Sequence, residues 1–190
     1  MWPMKAKVSE RRLRALPLLG ICLLTVCAFL PTFWNGFQME WDDQWMVMNP
    51  QTVGRWDIYL LKSIFMVPSH GQIGPLNQLM YTALYHMFGF NPFVFHMVSL
   101  LLHMANVCLL YVGLSMILQD CLAMDAGRIY RMAFITTVLF AVHPLQVESV
   151  AWISASKILL STSFYFMGAI MVVEYLRKGS RGSYACALLM

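Results

Sequence analysis

Four long apolar runs divide the chain, with polar stretches between them. Leu16 to Phe33 comes first, followed by Pro92 to Leu118, Tyr130 to Val147 and Ile158 to Tyr175. A helix needs about 20 apolar residues to cross the hydrocarbon core of a bilayer. Pro92–Leu118 is long enough to span with tilt, while Tyr130–Val147 is marginal and is broken near its end by Pro144. Leu76 to Phe90 has a different pattern. Its apolar residues Leu76, Leu79, Met80, Ala83, Leu84, Met87 and Phe88 recur at helical spacing, and Asn77, Gln78, Tyr81, Thr82, Tyr85 and His86 form the opposite face. This predicts a helix lying in the membrane interface rather than crossing it.

The basic start, KAKVSERRLR, leads into a first run that is longer than a usual signal-peptide core and has no small-residue cleavage site after it. A retained signal anchor is therefore expected. The chain closes on YACALLM, the start of a fifth apolar segment at 184–190. A half-inserted helix leaves backbone polar groups unpaired in lipid. The expectation is the N-terminal part of a larger protein, or a truncated product.

Composition agrees with an integral membrane protein: 59% of the 190 residues are hydrophobic and 12% are charged. The net charge of +4 sits in short clusters beside apolar runs, so it does not point to nucleic acid. The five cysteines read as small packing residues rather than a disulfide framework, and the 16 methionines as adaptable packing.

Charge also sets orientation, because basic residues collect in cytoplasmic loops. With four spans and the N-terminus inside, ten of the 13 basic residues lie inside, leaving Arg55, Lys62 and Lys157 outside. If Leu76–Phe90 also crossed, the split would become six inside against seven outside. The predicted architecture is an all-α membrane protein with four transmembrane helices and interfacial helices in its first outer loop. A cytoplasmic basic segment covers 1–15 and the membrane domain 16–190. A multi-pass protein of the bacterial inner (plasma) membrane is expected, since the outer loops lack an N-x-S/T acceptor site.

Two groups of polar residues then fall on the outer side. Asp42 and Asp43, in MEWDDQWMVMNP, follow the first span among Trp34, Trp41 and Trp45. They read either as a solvated acidic turn under an aromatic belt, or as a base for an acceptor hydroxyl with a second acid to orient it or hold a divalent cation. His143, Pro144 and Glu148, in HPLQVESVAW, form the second group, and Lys157 beyond them is either a snorkelling anchor or a phosphate-binding cation. The His-to-Glu spacing is not that of a zinc protease, so the metal requirement stays unassigned. His96, His103 and Asn106 share one face of the second long run, where interhelical hydrogen bonding is the ordinary role.

Together, WDD, SHGQIGPLNQLMYTALYHMFGFNPFVFHMVSLLLHMANV and LFAVHPLQVESVAWISASK resemble the N-terminal part of the GT-C membrane glycosyltransferases related to the transmembrane and tetratricopeptide-repeat O-mannosyltransferases, and their bacterial branch in particular. The resemblance runs from about Trp34 to Tyr175. It implies transfer of a sugar from a polyprenyl-phosphate donor in the bilayer to a hydroxyl of a protein or glycan at the outer face. The family's acidic motif maps onto Asp42 and Asp43. Arg55, His70, His143, Glu148 and Lys157 are then the substrate-binding candidates. The chain departs from the pattern at Gly74, where relatives often carry Arg, and at Ile158, where an acid is usual; the repeats are absent. Two other readings stay open. One is a degenerate or truncated membrane relative without activity. The other is a transporter component that uses His96, His103 and Asn106.

Overall fold

The computed structural model describes residues 4–68, 71–179, 182 and 185–187, with side chains from residue 15 onward. Helix α1 (Met4–Phe29) runs into a 3-10 turn, Leu30–Trp34. A single π-turn, Asp43–Val47, precedes the short helices α2 (Pro50–Val53) and α3 (Ile58–Met66). Helices α4 (Pro75–Phe88), α5 (Pro92–Cys121) and α6 (Ala126–Ala141) follow. Then come α7 (Gln146–Ala151), a 3-10 turn at Ile153–Ala155, and α8 (Ser156–Lys178). No strand occurs among the described residues.

Local chemistry sets many of the boundaries. Asn49, Asp57 and Asp125 cap α2, α3 and α6 by accepting the backbone N–H of Thr52, Leu60 and Arg128 at 3.0, 2.8 and 3.0 Å. Proline stands at the start of α2 and α4, where its missing N–H costs nothing. Gly89 ends α4 at φ +63°, the left-handed conformation that favours glycine. α6 stops at Ala141, ahead of Pro144.

Among the described residues, three helical stretches are long and apolar enough to cross a membrane: Ala15–Trp34, Pro92–Cys121 and Ile153–Lys178. The sequence predicts a fourth at Tyr130–Val147. There the helix is the 16-residue α6, roughly 24 Å long against a hydrocarbon core of about 30 Å. The structure thus supplies three helices of spanning length where four are predicted.

The chain divides into two compact units. One holds residues 1–28, 102–146 and 161–190. Its core is Ile21, Val107, Tyr111, Ala133 and Ala141, and the alanines let the helices approach closely. The other unit holds residues 29–101 and 147–160, around Val47, Tyr81, Leu84, Val94, Phe95 and Ile153.

In this second unit α4 buries much of its polar face together with Leu84, while His86 is exposed. Gln78, Tyr81 and Thr82 are buried, whereas Leu76, Met87 and Phe88 are exposed. The buried groups are paired. Gln78 Nε2 donates to Thr52 Oγ1 at 2.8 Å, and Asn49 Nδ2 donates to Gln78 Oε1 at 3.0 Å, tying α4 to α2. An apolar face left outside suits a helix bordered by lipid, while polar groups withdrawn from lipid must find partners within the protein.

Candidate functional site

The two adjacent aspartates have separate environments. Asp43 is completely buried at the start of the π-turn. Its Oδ2 accepts the backbone N–H of Gln38 at 2.8 Å, and its Oδ1 accepts that of Ser154 at 2.9 Å. A buried carboxylate is tolerated only when hydrogen bonded in this way. Trp41 packs edge-on against Trp152, with ring centroids 5.5 Å apart, so the acidic loop meets the 152–156 segment a second time.

Asp42 is exposed. With Trp45, Met46 and Gln72 it lines an open groove of ≈ 370 Å³. Met46 and Gln72 also line a small adjoining cavity of ≈ 40 Å³, together with Gly74, Asn77, Ser154 and Lys157. Lys157 Nζ donates to Gln72 Oε1 at 2.6 Å. Gln72 therefore stands between the carboxylate's groove and the ammonium's cavity.

Beneath them lies Tyr81. Its hydroxyl donates to the Ile153 carbonyl at 2.8 Å and lies 2.8 Å from Ser156 Oγ, which bonds Asn77 Oδ1 at 3.1 Å. Burial, with a smaller contribution from the charge of Asp43, pushes the phenol up to about 12 against the opposing hydrogen bonds of Ser156 and Asn77. Asp43 and Tyr81 thus hold the 3-10 turn before α8 from two directions, and that turn delivers Lys157.

Of the predicted site residues, Asp42 and Lys157 border this pair of adjoining cavities, and Asp43 supports them. Arg55 and Glu148 are exposed and line neither cavity. His143 belongs to the other unit. His70 lies outside the described residues. Gln72, Asn77, Tyr81 and Ser154 were not singled out as site residues from the sequence, and Ser154 contributes through its backbone. Each oxygen of Asp43 accepts one backbone N–H, which fixes the carboxylate in place. Among the described residues, no three His, Cys, Asp or Glu side chains gather as metal ligands.

Two of the intramembrane polar residues make hydrogen bonds between helices. In the first unit, His103 Nε2 lies 2.9 Å from the Ala141 carbonyl, and Ser163 Oγ donates to Asn106 Oδ1 at 2.7 Å. These bonds tie α5 to α6 and α8. His96 falls in the other unit, so the three do not form one line within either.

The fold is that of a helical multi-span membrane protein. Comparison with known proteins supports a glycosyltransferase-like membrane protein. Protein O-mannosyl-transferase TMTC1 of Mus musculus is 30% identical over 150 residues, covering 74% of this chain and 15% of that protein. TMTC1 of Homo sapiens is 29% identical over 185 residues, covering 92% of this chain and 20% of its own length. Protein O-mannosyl-transferase Tmtc3 of Drosophila melanogaster is 33% identical over 115 residues, covering 54% and 12%. The chain thus spans at most 20% of the length of these relatives. All three are animal proteins, which lends no support to a bacterial branch. No protein-family model and no solved structure matches the chain.

Proposed function

We propose that this chain carries part of a membrane glycosyltransferase that moves a sugar, mannose by analogy with its relatives, from a polyprenyl-phosphate donor to a protein or glycan hydroxyl. The observation that carries this reading is the flanking of Gln72 by the exposed carboxylate of Asp42 and the ammonium of Lys157. Asp42 takes the proton of the acceptor hydroxyl as its oxygen attacks the anomeric carbon. The bond from that carbon to the lipid phosphate oxygen breaks. Lys157 meets the charge that develops on the departing phosphate. Asp43 is a positioning residue that fixes the loop carrying Asp42 and the turn carrying Lys157.

The basic clusters support a cytoplasmic N-terminus, with the 34–91 loop on the outer or lumenal side. The cavity lined by Ala15, Gln119 and Arg177 supports a common membrane face for the start of α1 and the ends of α5 and α8.

The test uses the complete gene product in membranes with a polyprenyl-phosphate mannose donor. Transfer by the wild type and its loss in Asp42→Asn, with the fold kept, is the expected result. A second reading, a relative without activity, is favoured by Gly74, which leaves its part of the small cavity without a side chain. No transfer by the wild type with any sugar donor would decide for it.

A further inference from the structure

In the first unit, four basic side chains are described: Arg128, Arg131, Arg177 and Lys178. Three are neutralised within the chain. Arg128 pairs with Asp125 at 3.0 Å, Arg177 with Asp120 at 2.8 Å and Lys178 with Glu174 at 3.0 Å. Arg131 differs: its Nε donates to the Gly127 carbonyl at 3.2 Å, and no described carboxylate pairs with it.

Arg131 borders an open crevice of ≈ 400 Å³ between α1 and α6. Leu16, Pro17 and Phe134 supply apolar walls, and Gly20 and Gly127 remove side chains from the floor. Among the described residues no acid lines it, and Asp125, whose Oδ2 would lie 3.2 Å from a Cβ on Gly127, is already paired with Arg128. A Cβ built on Gly20 would meet no atom within 4 Å. A glycine inside a helix costs about 0.5–1 kcal/mol relative to alanine, and no packing within the described chain requires this one. In the sequence, the stretch before Leu16 carries Lys5, Lys7, Arg11, Arg12 and Arg14 against a single acid, Glu10.

We infer that this crevice is a binding site for an anionic phospholipid. One acyl chain lies along Leu16, Gly20 and Phe134, and the headgroup phosphate meets the Arg131 guanidinium. The chemistry combines an apolar trough open to the bilayer with a guanidinium free to take an external anion, at a helix end already rich in basic residues. The crevice at the ends of α5 and α8 is larger, ≈ 550 Å³, but its arginine is already paired with Asp120 and Glu174 stands beside it. It offers no net positive charge to an anion. The lipid site is independent of sugar transfer.

Native mass spectrometry of the complete gene product, exchanged between phosphatidylglycerol and phosphatidylcholine nanodiscs, tests this. The wild type is expected to retain phosphatidylglycerol preferentially. Arg131→Gln should cut that preference about fivefold, the scale of one basic residue at an anionic surface. Gly20→Leu, whose Cβ meets no atom within 4 Å, should reduce retention of both lipids while circular dichroism stays unchanged. Equal retention of the two lipids by the wild type, or wild-type retention in both variants, overturns the assignment. So does cross-linking of a second polypeptide into the crevice from a cysteine introduced at Gly20.

Discussion

The backbone N–H of Ser154 donates to the buried Oδ1 of Asp43 at 2.9 Å, across 111 residues of sequence. This bond joins the loop after the first span to the turn before the last. It gives the two aspartates different duties although they are neighbours in the chain. Asp42 faces the groove, and Asp43 builds it.

Substitution of the two aspartates should therefore separate stability from rate. Asp43→Asn turns a carboxylate that accepts two N–H bonds into an amide whose own N–H₂ confronts one of those donors. The expected cost is about 2–4 kcal/mol, since a buried N–H loses its charged acceptor. Asp42→Asn should leave the unfolding midpoint unchanged and lower the transfer rate by roughly 10²–10⁴-fold. Thermal unfolding in detergent alongside initial rates checks both. An Asp43→Asn protein as stable as the wild type would show that the clamp is not needed.

The contact between Gln72 and Lys157 predicts an effect on donor affinity. At 2.6 Å the amide oxygen steers the ammonium without neutralising it. Lys157→Gln should raise the donor KM on the order of 10–100-fold, the scale of one lost hydrogen bond to a charged group. Gln72→Glu, which sets a carboxylate against the ammonium, should shift KM in the same direction with little change in kcat. An unchanged donor kcat/KM in both variants would mean that Lys157 does not meet the donor phosphate.

Much of this fold is legible in the sequence, because length and hydropathy alone decide whether a helix can cross lipid. Leu16–Phe33, Pro92–Leu118 and Ile158–Tyr175 all lie within helical stretches long and apolar enough to cross a membrane. Periodicity finds the two faces of α4 but not which one is buried. Beside a membrane, the apolar face can stay outside while Gln78, Tyr81 and Thr82 turn in. The acidic pair was visible as a pair, yet its division of labour depends on the π-turn that begins at Asp43. Ser154 acts through its backbone N–H, which no side-chain pattern encodes. Gln72 lies within the SHGQIGPLNQL stretch, yet its place between two cavities is set by the fold and not by the pattern.

Tyr81 makes stability depend on alkaline pH. An unfolded tyrosine loses its proton near pH 10, whereas the buried phenol holds it up to about 12. The folded state binds this proton more tightly, so its contribution is fully present below pH ~10. It is lost as pH rises through the window to about 12. The total is roughly 2–3 kcal/mol. Tyr81→Phe should remove this slope, while costing about 1–2 kcal/mol at neutral pH for the partners left at Ile153 and Ser156. Unfolding midpoints of both proteins across that pH range are the check. A slope that survives in Tyr81→Phe would assign it to another group.

Cys22 on α1 and Cys108 on α5 offer a direct test of packing in the other unit. Their sulfurs lie 3.9 Å apart, and each cysteine is partly exposed. A disulfide requires about 2.05 Å between the sulfurs, so small side-chain adjustments could close the bond without moving either helix. A variant with Cys27, Cys121 and Cys186 changed to serine isolates the pair. Treatment with a membrane-permeant disulfide oxidant should remove two hydrogens from the intact mass and block maleimide labelling of both thiols. A reductant should restore both. Adding Cys108→Ser should abolish the mass change and leave Cys22 open to labelling. If the pair stays fully reduced and labelled after oxidation, α1 and α5 do not meet at this register, and the core built on Ile21 and Val107 would have to be redrawn.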